Sequence, residues 1–344
     1  MHWTVLGLVV AAAACWLLWE WIRSRGFDWR LFLETIAGLH WGWLAAACVL
    51  SLATYYGRAL RWAVLMKPVR PRPRLWNLTS ATLIGFAAIT VFGRPGELVR
   101  PYLVARKEDV PLSSQLAALL LERIYDLLAA LLLFGFALSR LDPSKLAVGP
   151  AMAWVLAMGG RVAAVVGLIC VIVLLILRHY SESARKRLIA ALSFLPAHLH
   201  SRAEKLVTAF VQGAEATRST RSLSLVAGLT VVEWALIAGS VAALLKAFHG
   251  KISMGLVDIL VFLGFVAFGA VIQIPGIGGG FQVVAALVLV ELFGVNLEVA
   301  TSVAMVLWAM SFVLIVPIGA AVALREGVNF RNLKNLGREA ETQT

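Results

Sequence analysis

The sequence predicts an all-α integral membrane protein with six transmembrane helices and two Gly/Pro-broken re-entrant helical hairpins, arranged as an inverted repeat. Three observations lead there. Of 344 residues, 60% are hydrophobic and only 15% charged, and the mean hydropathy is +0.85, a composition foreign to ordinary soluble domains. Apolar runs of the ~20 residues needed to cross a ~30 Å hydrocarbon core lie near 3–22, 41–60, 114–138, 152–177, 223–245 and 300–323. Two more apolar stretches, 75–112 and 256–297, are interrupted by glycine and proline. Backbone can break at membrane depth only where protein or a water-filled cavity satisfies the freed N–H and C=O groups, and paired broken segments in two halves of a chain mark transporter binding sites.

Taken in order, the first run imitates a lipoprotein cleavage site at Ala12–Cys15, but no Lys or Arg precedes it and it continues through Leu17 and Leu18. It reads as an uncleaved anchor. The second run ends at Tyr55, Tyr56, Arg58 and Arg61, and the turn after it adds Lys67, Arg70, Arg72 and Arg74. That basic turn is expected on the cytoplasmic side, with the two arginines either snorkelling as interfacial anchors or touching lipid headgroups. The stretch 75–112 then breaks at Gly93, Arg94, Pro95, Gly96 and Glu97, followed by Arg100 and Pro101.

Segment 178–222 holds Arg178, Arg185, Lys186, Arg187, Arg202, Lys205, Arg218 and Arg221 and is expected to be a cytoplasmic, interfacial amphipathic segment. Two spans separate it from the earlier basic turn, so 75–112 must contribute an even number of crossings, as a hairpin does. Arg325, Arg331, Lys334 and Arg338 put the tail, 331–344, on the same side, so 256–297 is also paired and enters from the opposite face. The result is one polytopic domain over 1–330 with both termini cytoplasmic. The formal charge of +12 is explained by this sorting and by anionic headgroups, and nucleic acid is not an expected partner. Cys15, Cys48 and Cys170 lie far apart inside spans as small core residues. His198 and His200 lack a third ligand, so no metal site is expected.

Charges inside spans are costly and usually face a bundle interior or a pathway. Glu122, Arg123 and Asp126 interrupt the third span. Glu122 and Asp126, at i and i+4, share a helix face, while Arg123 points about 100° away. Two close carboxylates repel unless a cation or a shared proton lies between them, and Arg94 or Arg100 can supply the cation. One reading gives Arg94 and Arg100 a lipid phosphate to hold while Glu97, Glu122 and Asp126 orient them or contact a cationic headgroup. The other is a buried ion network that pins the first hairpin to the third span. Glu233, midway along the fifth span, is either a protonatable coupling group or the partner of a distant arginine. In the second hairpin, Pro275, Gly276, Gly278, Gly279 and Gln282 offer close packing and exposed backbone N–H groups. No nucleophile elbow, P-loop or metal-ligand spacing is present, so neither a catalytic residue nor a cofactor is expected.

These motifs give the chain a family resemblance. Arg58, Arg61 and Trp62, then Gly93, Arg94, Gly96, Glu97 and Arg100, then Glu122, Arg123 and Asp126, in this order and spacing, resemble the lysylphosphatidylglycerol synthase transmembrane-region family of flippase-like proteins. Two positions depart: Gln282 stands where the family commonly has glutamate, and an uncharged stretch around Trp308 where it often has arginine. The resemblance implies movement of a phospholipid or lipid-linked headgroup across the inner membrane, as in the membrane half of multiple peptide resistance factor. It also implies that no synthase activity is inherited, because the tail is too short for the soluble aminoacyl-transferase domain. A polyprenyl-phosphate lipid is a further substrate class, and a glycosyltransferase or synthase is a possible partner.

Overall fold

The computed structural model describes residues 26–140, 219–270 and 278–328, with short pieces at 158–159, 161–162, 165–169, 172 and 273–274. The first apolar run, most of 152–177, nearly all of 178–222, the tail and Pro275 and Gly276 lie outside the described residues. The rest is helical. Helix α1 (Trp29–Ala37) leads through a bend of 80° into α2 (Trp41–Leu65). The first broken stretch forms α3 (Leu75–Phe92), a 3-10 turn (Arg94–Leu98) and α4 (Val99–Glu108), and α5 (Leu112–Arg140) follows. The second half repeats this order. Helix α6 (Thr220–Ala247) precedes a broken pair, α7 (Leu256–Gly269) and α8 (Gly280–Glu291). The chain ends in α9 (Leu297–Trp308), a π-helical turn (Ala309–Val313) and α10 (Ile315–Arg325).

Length and apolarity let three of these helical segments cross a membrane, Leu75–Phe92, Arg221–Ala247 and Leu297–Arg325, and a fourth if the bent pair Trp29–Ala37 and Trp41–Leu65 is one span. Helix α5 has 29 residues, but Glu122, Arg123 and Asp126 dilute its apolar character. Helix α1 lies between the apolar runs 3–22 and 41–60, where the sequence predicts no span. Asp28 caps it by accepting from the backbone N–H groups of Arg30 and Leu31, the usual solution for the orphan donors of a helix start.

The first break follows directly from its residues. Gly93 ends α3 at φ 71°, a left-handed conformation that costs glycine little. Pro95 lies at the start of the 3-10 turn, where its missing N–H is not needed. Gly96 then lets the turn lie against α3, because a Cβ there would come within 2.6 Å of the Ile89 backbone nitrogen. In the second break Gly279, at φ 119°, precedes α8, and its N–H donates to Gln282 Oε1 at 2.7 Å. Gln282 therefore caps its own helix. A two-residue antiparallel bridge pairs Gln273 with Gly279 and Ile274 with Gly278.

Among the described residues, packing forms two cores. One, around Val261, Phe262, Leu289, Ala300 and Val303, joins the second hairpin to α9. The other, around Trp62, Leu78, Ile84 and Val104, joins the first hairpin to the end of α2 and to Ala323 of α10. Helices α2 and α6 pack along each other and contribute to both, Ala47 and Val241 to the first and Ala59 and Val226 to the second. Helix α10 meets α3 at Gly319, where an added Cβ would lie 2.5 Å from Ala87 Cβ and 2.6 Å from the Leu83 carbonyl oxygen. Backbone cannot yield as a side-chain tip can. Gly319→Val is expected to lower stability by about 1–3 kcal/mol, the usual cost of overpacking, read as a fall in thermal midpoint in detergent.

Candidate functional site

Beside the first core, with Val241, Leu263, Val266 and Leu307 on its wall, lies a cavity of about 470 Å³, within the ~300–1,000 Å³ range of ligand sites. Helical spacing brings its polar wall together. Helix α2 presents Tyr55 and Arg58, α5 presents Arg123 and Asp126, α6 presents Glu233, and the 3-10 turn presents Arg94 and Glu97. The rest of the lining is largely apolar and includes Ile89, Leu127, Leu263, Val266, Phe281 and Leu307. The cavity thus combines charged groups with hydrocarbon-like lining.

Behind the polar wall, buried ion pairs tie four helices together. Arg61 is fully buried and forms the hub, with Nη2 2.9 Å from Glu122, and Nη1 2.6 Å from Asp126 and 3.2 Å from Glu233. Its Nη1 also donates to Thr230 Oγ1 at 3.2 Å. Arg100, from α4, reaches the other oxygen of Glu122 at 2.8 Å and donates to the Arg58 carbonyl at 3.2 Å. Arg58 pairs with Glu233 at 2.7 Å and lies 3.5 Å from Asp126. Aromatic rings complete the cage. The Arg100 guanidinium stacks 3.9 Å over Trp62, Arg58 lies 5.1 Å over Phe86, and Trp62 Nε1 donates to Gln115 at 2.8 Å. Cations over aromatic faces are stabilised most when desolvated.

Several sequence expectations meet their geometry here. The cation required by Glu122 comes from Arg100 and Arg61. Arg94 instead pairs with Glu97 at 2.8 Å and donates to the Ala270 carbonyl at 3.3 Å, linking the first hairpin tip to the end of α7. Arg61 cannot be a snorkelling anchor, because its side chain is 0% exposed. Three carboxylates hold it inward more favourably than the interface could. Glu233 is the partner of a distant arginine, Arg58. Of the proposed headgroup contacts, Arg58, Arg94 and Glu97 line the cavity, while Arg61 and Arg100 lie behind it.

The sequence reading missed Thr230, Gln115 and the π turn. Thr230 lies three residues before Glu233 on the same face, which is a usable helical-spacing signal. The π turn has none, yet it puts Ser311 and Phe312 on the cavity wall. Their carbonyls accept from Tyr55 Oη at 2.8 Å and Thr90 Oγ1 at 3.3 Å. Such turns free backbone acceptors and recur at functional sites.

Residues 4–319 match the family described as the lysylphosphatidylglycerol synthase TM region. The chain belongs to this family. As a lysylphosphatidylglycerol synthase TM region protein it is an all-helical membrane protein, and its general role lies with membrane lipids. A stretch of 96 residues is also 32% identical to a protein named glycosyltransferase AglD from Haloferax volcanii, covering 28% of this chain and 15% of that relative. No solved structure matches the chain.

Proposed function

We propose that the protein is a lipid flippase that carries an anionic or aminoacylated phospholipid, or a polyprenyl-phosphate-linked lipid, between leaflets of the bacterial inner membrane. The observation that carries this reading is the cavity's mixed lining. Its charged residues suit a headgroup and its apolar residues suit the first carbons of an acyl or prenyl chain. In the proposed topology there are six spans, both broken pairs are re-entrant, and both termini are cytoplasmic. The two helix breaks then meet near the bilayer midplane, supported by the Arg94 contact with Ala270. The role is transport and involves no covalent step.

A second reading comes from the glycosyltransferase relative, namely a scaffold that presents lipid to a partner glycosyltransferase or synthase without moving it. Translocation of labelled lipid in proteoliposomes separates the two. Arg94→Gln/Glu97→Gln removes one cavity ion pair without changing net charge. If it holds the headgroup, translocation should fall roughly ten- to hundred-fold, the kinetic equivalent of losing charge-assisted hydrogen bonds, with the thermal midpoint retained. Unchanged translocation at retained stability overturns the flippase site, and copurification with an enzyme in the absence of transbilayer movement establishes the scaffold.

A further inference from the structure

We infer that the cavity selects a phosphodiester-linked lipid with a single net negative charge, and that Arg123 is the residue that grips it. This rests on the lipid-binding reading above and narrows its substrate class. In the polar wall and the ion network behind it, among the described residues, five arginines (58, 61, 94, 100 and 123) stand with four carboxylates (Glu97, Glu122, Asp126 and Glu233). One positive charge is in excess. A low-dielectric interior penalises uncompensated charge heavily, so a monoanionic ligand neutralises the site, whereas a cationic headgroup deepens the imbalance.

The pairing identifies the surplus charge. Each carboxylate has an arginine within 2.9 Å: Glu122 with Arg100 and Arg61, Asp126 with Arg61, Glu233 with Arg58 and Glu97 with Arg94. No acidic group is left over to receive an ammonium. Arg123 differs from the other four arginines. Its one ion pair is with Asp126 at 3.8 Å, too long for a good hydrogen bond. Its side chain is 40% exposed on the cavity wall. It is therefore the arginine of the five that is least engaged by a carboxylate.

A guanidinium fork matches paired oxygens, whether of a phosphate or a carboxylate. The apolar lining, with Phe281, Leu263 and Val266, favours a ligand that also carries hydrocarbon, and the phosphodiester lipid meets both demands. Phosphatidylglycerol and a polyprenyl phosphate-linked hexose share this chemistry. Lysylphosphatidylglycerol does not, since its added amines reverse the headgroup charge.

Native mass spectrometry of the full chain in nanodiscs tests the inference. The nanodiscs contain equal amounts of phosphatidylglycerol, lysylphosphatidylglycerol, phosphatidylethanolamine and a polyprenyl phosphohexose, with soluble glycerophosphoglycerol as the headgroup alone. The wild type should retain one or both singly anionic diesters about tenfold over the zwitterionic lipid, and the one retained names the source. Arg123→Gln should bring retention to parity, Arg123→Lys should keep most of the preference, and the exposed Arg140→Gln should change nothing. Preference for the lysylated or zwitterionic lipid overturns the inference. So does binding of the soluble diester without any lipid, or full selectivity in Arg123→Gln at an unchanged thermal midpoint. Selective binding without translocation keeps the inference and removes the flippase reading, while translocation with unselective binding does the reverse.

Discussion

Replacing Glu122 by glutamine is expected to cost about 3–5 kcal/mol, the penalty for removing one partner of a buried ion pair. Glu122 is 1% exposed and takes Arg61 on one carboxylate oxygen and Arg100 on the other. It is where α2, α4 and α5 converge. Glutamine keeps the shape but returns no charge, so Arg100, itself 3% exposed, is left buried with the Arg58 carbonyl and the Trp62 face. Arg61 fares better because Asp126 and Glu233 remain. Equilibrium unfolding in mixed micelles measures the loss. The double variant Glu122→Gln/Arg100→Gln should be less damaged than the sum of its singles by about 1–3 kcal/mol, the coupling expected of residues within one network. A single variant within experimental error of wild type would show that the arginines find other partners.

The second large effect is expected at Gly96. Its Cβ would have to occupy space 2.6 Å from the Ile89 nitrogen, beside the Ala88 carbonyl, all of it α3 backbone. Gly96→Ala must therefore lift the 3-10 turn off α3, at about 1–3 kcal/mol, and carry Arg94 and Glu97 with it. Gly57 of α2 is the control, since a Cβ there meets nothing within 4 Å, and Gly57→Ala should be neutral or add up to about 1 kcal/mol of helix propensity. Hydrogen exchange over 94–98 reads the displacement directly. Faster exchange and lost lipid translocation in Gly96→Ala, with neither in Gly57→Ala, is the expected pattern. Undisturbed exchange in Gly96→Ala would mean that α3 and the turn part freely, and the tip could not then hold a defined site.

Local chemistry made much of the helical framework readable. The predicted runs 114–138 and 223–245 emerge as helices 112–140 and 220–247, because helix propensity and apolar continuity act over a few turns. The first break was equally legible, since Gly93 and Pro95 impose their backbone geometry wherever they stand. Helix α1 was not. It is short and follows Arg23 and Arg25, and it holds its place by packing on α9, where Glu298 accepts the Asp28 N–H at 3.0 Å.

The polar residues divide in the same way. A carboxylate in an apolar run announces that it needs a cation, because the cost of burying charge is a property of the residue and its surroundings alone. Glu122, Asp126 and Glu233 could be picked out on that basis. Which cation each receives is settled by close approach, over 61 residues between Arg61 and Glu122 and 169 between Arg61 and Thr230. No local rule reaches across such separations. Arg58 and Arg61 look like interfacial residues in the chain, because they close an apolar run before a basic turn. Packing of α2 against α6 turns them inward, makes Arg61 the hub of the network and leaves Arg123 facing the cavity. Short-range physics thus specified the helices, their breaks and the costly charges, whereas the pairing of those charges and the cavity beside them arose from long-range packing.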